Sequence, residues 1–230
     1  MIGRMLRFGI LIASIRRLQH GFNIWEIKKM DKAGDLSLVS YTDQFHTLLA
    51  CCEITKRNGT LSELEPGLSS VMQELMHVRK NHGSVYVVGN GGSSGVASHA
   101  VIDFVNVAKL RAFTLHEPSV LTCLANDYGY EQIFSRLLSQ MAKPGDVLIA
   151  ISSSGNSKNI CNAAEQMTRS GGIVITLSGF TSDNSLRSLG DINIWLNAKN
   201  YGLVEIGHQF ILHNVSDRFG MMGSVGQEDQ

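Results

Sequence analysis

Twice in this chain an apolar run ends in a cluster of glycine and hydroxyl residues, with a helical pattern behind it. Val147 to Ile151, set off by a Pro144-Gly145 turn, reads as a short buried strand running into Ser152, Ser153, Ser154, Gly155, Asn156 and Ser157, before a helix over Lys158 to Arg169. Val85 to Val88 feeds Gly89-Asn90-Gly91-Gly92-Ser93-Ser94-Gly95 in the same way. Where a strand passes into a helix through small residues, unpaired backbone N–H groups and the positive end of the helix dipole favour an anion. Serine hydroxyls can donate further hydrogen bonds without blocking its approach. One such loop reads equally well as a serine-rich connection with a helix cap. Two of them suggest a single phosphorylated ligand held at the carboxyl ends of parallel strands.

The remaining pattern agrees with such a sheet. Apolar runs at Arg111 to Leu115, Ile173 to Leu177 and Ile192 to Leu196 read as further strands. Helical patterns lie at Ser93 to Ala108, Ser119 to Asn126, Glu131 to Ala142 and Glu205 to Phe219. Short, nearly all-apolar strands alternating with helices predict an α/β fold, a doubly wound three-layer parallel sheet of about five strands. Ahead of it, Tyr41, Phe45, Leu48, Leu49 and Cys52 recur at helical spacing over Ser40 to Lys56, and a second helix is expected over Leu61 to Asn81. These make an N-terminal helical hairpin on one domain spanning residues 30–219, with a loose tail from Gly220 to Gln230.

Composition excludes several classes. The 230 residues suit one domain of ordinary size, and 43% hydrophobic with 17% charged residues describes a globular chain. Lys plus Arg equals Asp plus Glu, so there is no broad basic field for nucleic acid. Cys51, Cys52, Cys123 and Cys161 lack metal-type spacing, which suits a reducing, cytoplasmic setting. Residues 1–29 form a basic extension, with Arg4, Arg7, Arg16, Arg17, Lys28 and Lys29 against the acid Glu26. The apolar run Phe8 to Ala13 is too short to cross a bilayer, and no membrane association is expected. Met30 is the preferred start of the chain proper, with a transit peptide as the other reading of that extension.

Two phosphate motifs fail. GNGGSSG departs from the dinucleotide fingerprint at Ser94, although Glu117 could be offered as a ribose ligand. No Gly-Lys-Ser/Thr follows either loop, which excludes a Walker motif. GNGGSS, LANDYGYEQIFSR (Leu124 to Arg136), GDVLIAISSSGNS and YGLVEIGHQFILH (Tyr201 to His213) together resemble a sugar isomerase (SIS) domain, and within it the phosphoheptose isomerase group. The resemblance runs from about Tyr41 to about Phe219. It implies a homotetramer with sites at subunit interfaces that isomerises sedoheptulose 7-phosphate, usually with zinc. It further implies substrate contacts at Asn90, Gly91, Gly92 and Ser93, at Asn126 and Asp127, and at Ser152, Ser153, Ser154 and Ser157.

Moving a carbonyl between C1 and C2 needs a base beside the carbonyl and a group that stabilises an enediolate, a role a metal can fill. His99 and Asp103, four apart on one helix, share a face and can converge on an ion, although a buried histidine beside a solvated aspartate is the plainer reading of the pair alone. The resemblance places His99 and His213 on the family's zinc histidines. It sets Asp103 where the family has a catalytic glutamate and Glu205 where it has a glutamine. The expected metal set is therefore His99, Asp103, Glu205 and His213 with zinc or another divalent ion, and Asp103, Glu205 and His213 are the expected catalytic residues. Asp103 reaches about 1.5 Å less far than a glutamate, and Glu205 supplies a second carboxylate. If one helix carries both Glu205 and His213, they stand roughly 12 Å apart along its axis, more than one ion spans readily. His208 reads as a core or surface histidine, or as support for a ligand, and His116 shows no evident partner. The same fold also serves non-catalytic sugar-phosphate sensors and protein-binding regulators, including one that associates with a replication initiator. Isomerisation of another sugar phosphate is the remaining alternative.

Overall fold

The computed structural model describes residues 37–225. The expectations for the basic extension, residues 1–29, and for the last residues of the tail, 226–230, lie outside them. Within the described residues the chain divides into two units, 37–46 and 47–225. In the first, residues 37–46 form the opening turns of α1 (Leu38–Ala50), where the Ser40 N–H donates to Ser37 Oγ at 3.2 Å.

In the second unit the chain forms β1 (Glu53–Lys56), β2 (Leu61–Ser62), α2 (Leu64–Lys80), β3 (Ser84–Gly89), α3 (Gly92–Asn106) and β4 (Arg111–Thr114). There follow α4 (Pro118–Tyr128), a 3-10 turn at Tyr130–Gln132, α5 (Ile133–Met141), β5 (Val147–Ser152) and α6 (Lys158–Arg169). The chain closes with β6 (Ile173–Ser178), a second 3-10 turn at Ser185–Ser188, β7 (Ile192–Trp195) and α7 (Tyr201–Val225). The sheet order is β2-β1-β7-β6-β5-β3-β4. The five expected strands, β7 through β4, pair in parallel, whereas β1 runs antiparallel to β7 and β2 antiparallel to β1.

The seven-stranded count corrects the expected N-terminal hairpin of helices. α1 stops at Ala50, and Glu53–Lys56 with Leu61–Ser62 form a β-hairpin turning through Asn58 and Gly59 (φ 81°). Ile54 and Thr55 are buried in that edge, so pairing with β7 outweighed the helical spacing that had extended the first helix to Lys56. The tail expectation is corrected too, since α7 continues through Gly220 to Val225. Phe219 is buried beneath the Arg79 guanidinium, and a Cβ at Gly220 would lie 3.1 Å from Val107, so close packing holds the helix past its glycine. Among the described residues no helix is long and apolar enough to cross a membrane.

Both faces of the sheet are covered. Tyr86, Val88, Leu148, Ala150 and Val174 face Phe134 and Leu138 of α5 and Ile160, Ala163 and Met167 of α6 in one core cluster. The alternate residues Val85, Val87, Ile149 and Ile175 are equally buried on the other side, where α2, α3 and α7 lie. From β3 the chain winds outward to β4, while β5, β6 and β7 proceed in the opposite direction. The sheet therefore changes winding direction between β3 and β5, and the crevice beyond their carboxyl ends is where such sheets bind ligands.

Candidate active site

A cavity of about 360 Å³ opens at that crevice. Asn90, Gly91, Gly92 and Ser93 wall it from the β3–α3 loop, and Ile151 to Ser154 with Ser157 from the β5–α6 loop. Tyr201 and Glu205, from the first turns of α7, close the third side. Of the residues implied as substrate contacts, the structure brings both loop sets together here. It does not bring Asn126 and Asp127, which stand on the exposed face of α4 and bond to each other, Nδ2 to Oδ1, at 2.9 Å.

Local hydrogen bonds shape the serine loop. Ser152 Oγ accepts from the Gly155 N–H and donates to Ser157 Oγ, both at 3.2 Å, and Ser154 Oγ accepts from the Asn156 N–H at 3.2 Å. Ser153 Oγ is buried without a partner, so one hydroxyl on the cavity wall is left for a ligand. Behind the loop, Asn184 accepts from the Arg187 N–H at 3.0 Å and donates to Thr181 O at 2.8 Å. A Cβ at Gly155 (φ 67°) would collide with it, which makes glycine necessary there. Among the described residues no Lys or Arg lines the cavity, and Glu205 is the one charged residue on its wall. The anion-binding power comes from neutral hydroxyls, backbone N–H groups and the N-termini of α3 and α6.

α3 and α7 run side by side in the same direction. A Cβ on Gly92 would collide with the Glu205 carboxylate, and further along the pair His213 Nδ1 comes to 2.9 Å from Asp103 Oδ2. His99 Nε2 is 3.6 Å from the same oxygen, and the two imidazole rings meet edge to face with centroids 4.7 Å apart. His99, Asp103 and His213 each offer a ligand atom within 4.8 Å of the others. Although Nδ1 is close to it, Oδ2 has no donor in hydrogen-bonding geometry and is buried. An orphaned carboxylate oxygen between two imidazole nitrogens suits a divalent cation such as zinc. Glu205 is not in this group. α7 is continuous between it and His213, a separation of about 12 Å along the axis.

Other polar residues singled out in the sequence have structural partners. The Glu117 carboxylate caps α4 by accepting from the Val120 N–H at 2.8 Å, and its bonds with Ser119 and the cap hold its pKa below the usual value. It is spent on the helix and offers nothing to a ribose. His116 has partners after all: Nε2 accepts from the Gly89 N–H at 3.3 Å, and Nδ1 faces Ser94 Oγ at 3.3 Å. Burial lowers its pKa. Because a backbone donor occupies Nε2, the neutral ring carries its proton on Nδ1, and it does not serve as a base toward Ser94. His208 is a core residue bonded through Nε2 to Ser178 O at 3.1 Å, and burial pushes its pKa down to about 4.

Sequence reasoning missed Tyr201 on the cavity wall and Asn159 just behind it. Asn159 looks like a solvated polar residue in the first turn of a helix, yet it is 2% exposed and pairs with Asn90.

Residues 49–179 match the SIS domain model, more than half of the chain. The phosphoheptose isomerase of Citrifermentans bemidjiense is 34% identical over 176 residues, 74% of this chain and 90% of that protein. The chain belongs to the SIS-domain family, among the phosphoheptose isomerases. Its SIS fold is also that of a phosphoheptose isomerase structure from Francisella tularensis, with a TM-score of 0.70 at 24% identity over 85% of this chain and 98% of that one. The phosphoheptose isomerase structure from Neisseria gonorrhoeae gives a TM-score of 0.66 at 22% identity, over 86% and 98%. The SIS-domain match spans both anion loops.

Proposed function

We propose that this protein is an aldose-ketose isomerase that converts sedoheptulose 7-phosphate into D-glycero-D-manno-heptose 7-phosphate through an enediol. The observation that carries the reading is Glu205, a carboxylate on the wall of a cavity whose other polar groups are neutral donors suited to a phosphate. The hydroxyls of Ser153, Ser154 and Ser157 and the N-terminus of α6 hold the phosphoryl oxygens. Glu205 faces the polyol, away from the group it would repel.

In the forward reaction Glu205 accepts a proton from C1 of the ketose. The C1–H bonding pair becomes the C1–C2 double bond, and the C2 carbonyl oxygen takes up a proton from solvent to give the enediol, a proton that solvent regains from the C1 hydroxyl in the second half. The C1 hydroxyl then loses its proton as Glu205 returns one to C2, leaving an aldehyde at C1 with no net oxidation. His99, Asp103 and His213 would hold zinc or another divalent ion, which would supply Lewis-acid stabilisation to a negatively charged oxygen beside it.

Assembly as a homotetramer with sites at subunit interfaces belongs to the same proposal. It is supported by exposed Ile102 and Val105 on α3 and Ile206 and Phe210 on α7, the two helices that carry the metal-ligand trio. A cytoplasmic location is in keeping with free thiols at Cys51, Cys52, Cys123 and Cys161.

The test is proton NMR of sedoheptulose 7-phosphate in heavy water with metal-loaded protein. Loss of the C1 proton signal, together with a new aldose signal, is expected, and both should slow by at least about 10²-fold on Glu205→Gln substitution. Shifts on the sugar without exchange would replace the enzyme reading with that of a sugar-phosphate sensor.

A further inference from the structure

The two anion loops are joined by a side-chain clamp. Asn90, at the end of β3, and Asn159, in the first turn of α6, exchange two hydrogen bonds, each Nδ2 donating to the other's Oδ1 at 2.9 Å. Tyr130 Oη adds a third by donating to Asn90 Oδ1 at 3.1 Å. The turn that carries Tyr130 is itself tied to α6, because Asn162 Nδ2 donates to Glu131 O at 2.9 Å.

This network settles which way each carboxamide faces. The Ile160 backbone N–H, which can only donate, points at Asn159 Oδ1 at 3.0 Å and fixes that atom as the oxygen. The Asn159 amide nitrogen must then face Asn90, whose facing atom is therefore its oxygen, and the Tyr130 hydroxyl donates to the same oxygen. Both acceptor sites of Asn90 Oδ1 are filled, and one of the two N–H groups on its Nδ2 is used. What Asn90 has left for the cavity it lines is a single N–H donor.

We propose that Asn159 is a positioning residue: anchored on the Ile160 N–H, it orients Asn90 so that a donor, and not a carbonyl, faces the bound phosphosugar, and it locks the β3–α3 and β5–α6 loops at a fixed separation. The proposal rests on the isomerase reading for its kinetic consequence but not for the clamp itself. Asn159 does not line the cavity, so its effect on the ligand passes through Asn90.

Asn159→Leu removes both amide bonds at similar volume. Each neutral hydrogen bond contributes roughly two- to tenfold in an equilibrium, so KM for sedoheptulose 7-phosphate should rise about tenfold, with kcat within about twofold of the parent. In an Asn90→Ala background the same change should add nothing. Tyr130→Phe, at a residue 56% exposed and removable without unfolding, should raise KM about threefold and also lose its effect beside Asn90→Ala. A KM unchanged in folded Asn159→Leu protein, or an increase equally large without Asn90, would overturn the proposal.

An activity-independent measurement separates it from the isomerase reading. With nitrogen-15-labelled asparagine in the full chain, the Asn90 Nδ2 proton bonded to Asn159 should exchange slowly in the parent and rapidly in Asn159→Leu. Equal exchange in the two proteins refutes the clamp. A parent protein inert toward sedoheptulose 7-phosphate counts against the isomerase reading alone, and the amide measurement then decides the clamp.

Discussion

Gly92→Ala separates the geometry of the base from the stability of the fold. Gly92 is the first residue of α3, and the nearest atoms that a methyl group there would meet belong to the carboxylate of Glu205. All three carboxylate atoms would fall well inside van der Waals contact, so the group must retreat by more than about 1 Å to reach normal carbon–oxygen separation. It is the free end of a flexible side chain, and it can move at little cost. Alanine is meanwhile favoured over glycine in a helix by up to about 1 kcal/mol. The expected result is an unfolding temperature equal to or slightly above the parent's. A displacement of this size at a proton-transferring group costs on the order of 10²-fold in rate. The assay pairs thermal unfolding with the rate of C1 proton exchange, measured in the parent and in Glu205→Gln. Because both changes act through one carboxylate, Gly92→Ala should lower the rate by one to two orders of magnitude in the parent and have little further effect in Glu205→Gln. A Gly92→Ala protein with parental turnover would refute Glu205 as the base.

Gly155→Ala has the opposite signature. The positive φ is strained for alanine, and the methyl group collides with Asn184, a buried side chain held by several hydrogen bonds. A loss of roughly 2 to 4 kcal/mol in urea unfolding is expected, and an unchanged midpoint would show that the loop yields easily. For His208, the folded pKa of about 4 lies below the ordinary 6.5, so the unfolded chain binds the proton first as pH falls. Stability should be level above about pH 7 and decline toward pH 4 by roughly 3 kcal/mol in total, a slope that His208→Gln abolishes. If the two proteins show the same slope, the ring is not the group responsible. Calorimetric titration of chelator-stripped protein with zinc should show roughly one ion per chain, weakened at least about 100-fold by His99→Ala or His213→Ala. Undiminished binding in both variants would remove the trio as the metal site.

The parallel core was legible because its strands are short, apolar and each followed by a helical pattern, a combination with few solutions. Val147 to Ile151 lies wholly within β5, which gains only Ser152, and Lys158 to Arg169 is α6 without change. The β-hairpin was hidden because Cys52 continues the helical spacing of α1 and Glu53–Lys56 is too short to display a period of its own. Asn58-Gly59 was the available signal, since that dipeptide favours a tight reversal between strands. The cavity walls were readable from composition, whereas the Asn90–Asn159 pair was not. A helix-forming asparagine carries no mark of its partner 69 residues away, and the pairing emerges only when β3 and β5 become neighbours. Likewise the spacing of His99 and Asp103 showed a shared face, but the third ligand depended on α7 lying alongside α3.

Among the described residues the cavity wall carries no Lys or Arg, which bears on traffic through the site more than on grip. The field of a dipole falls off with distance faster than that of a net charge, so hydroxyls and amides act on a phosphate only once it has arrived. Capture should proceed at an ordinary diffusive rate with little response to ionic strength, unlike capture steered by a basic funnel. A product held by neutral donors also departs easily. For a reaction whose substrate and product carry the same phosphate, a lightly held anion keeps the enzyme from being clogged by what it has just made.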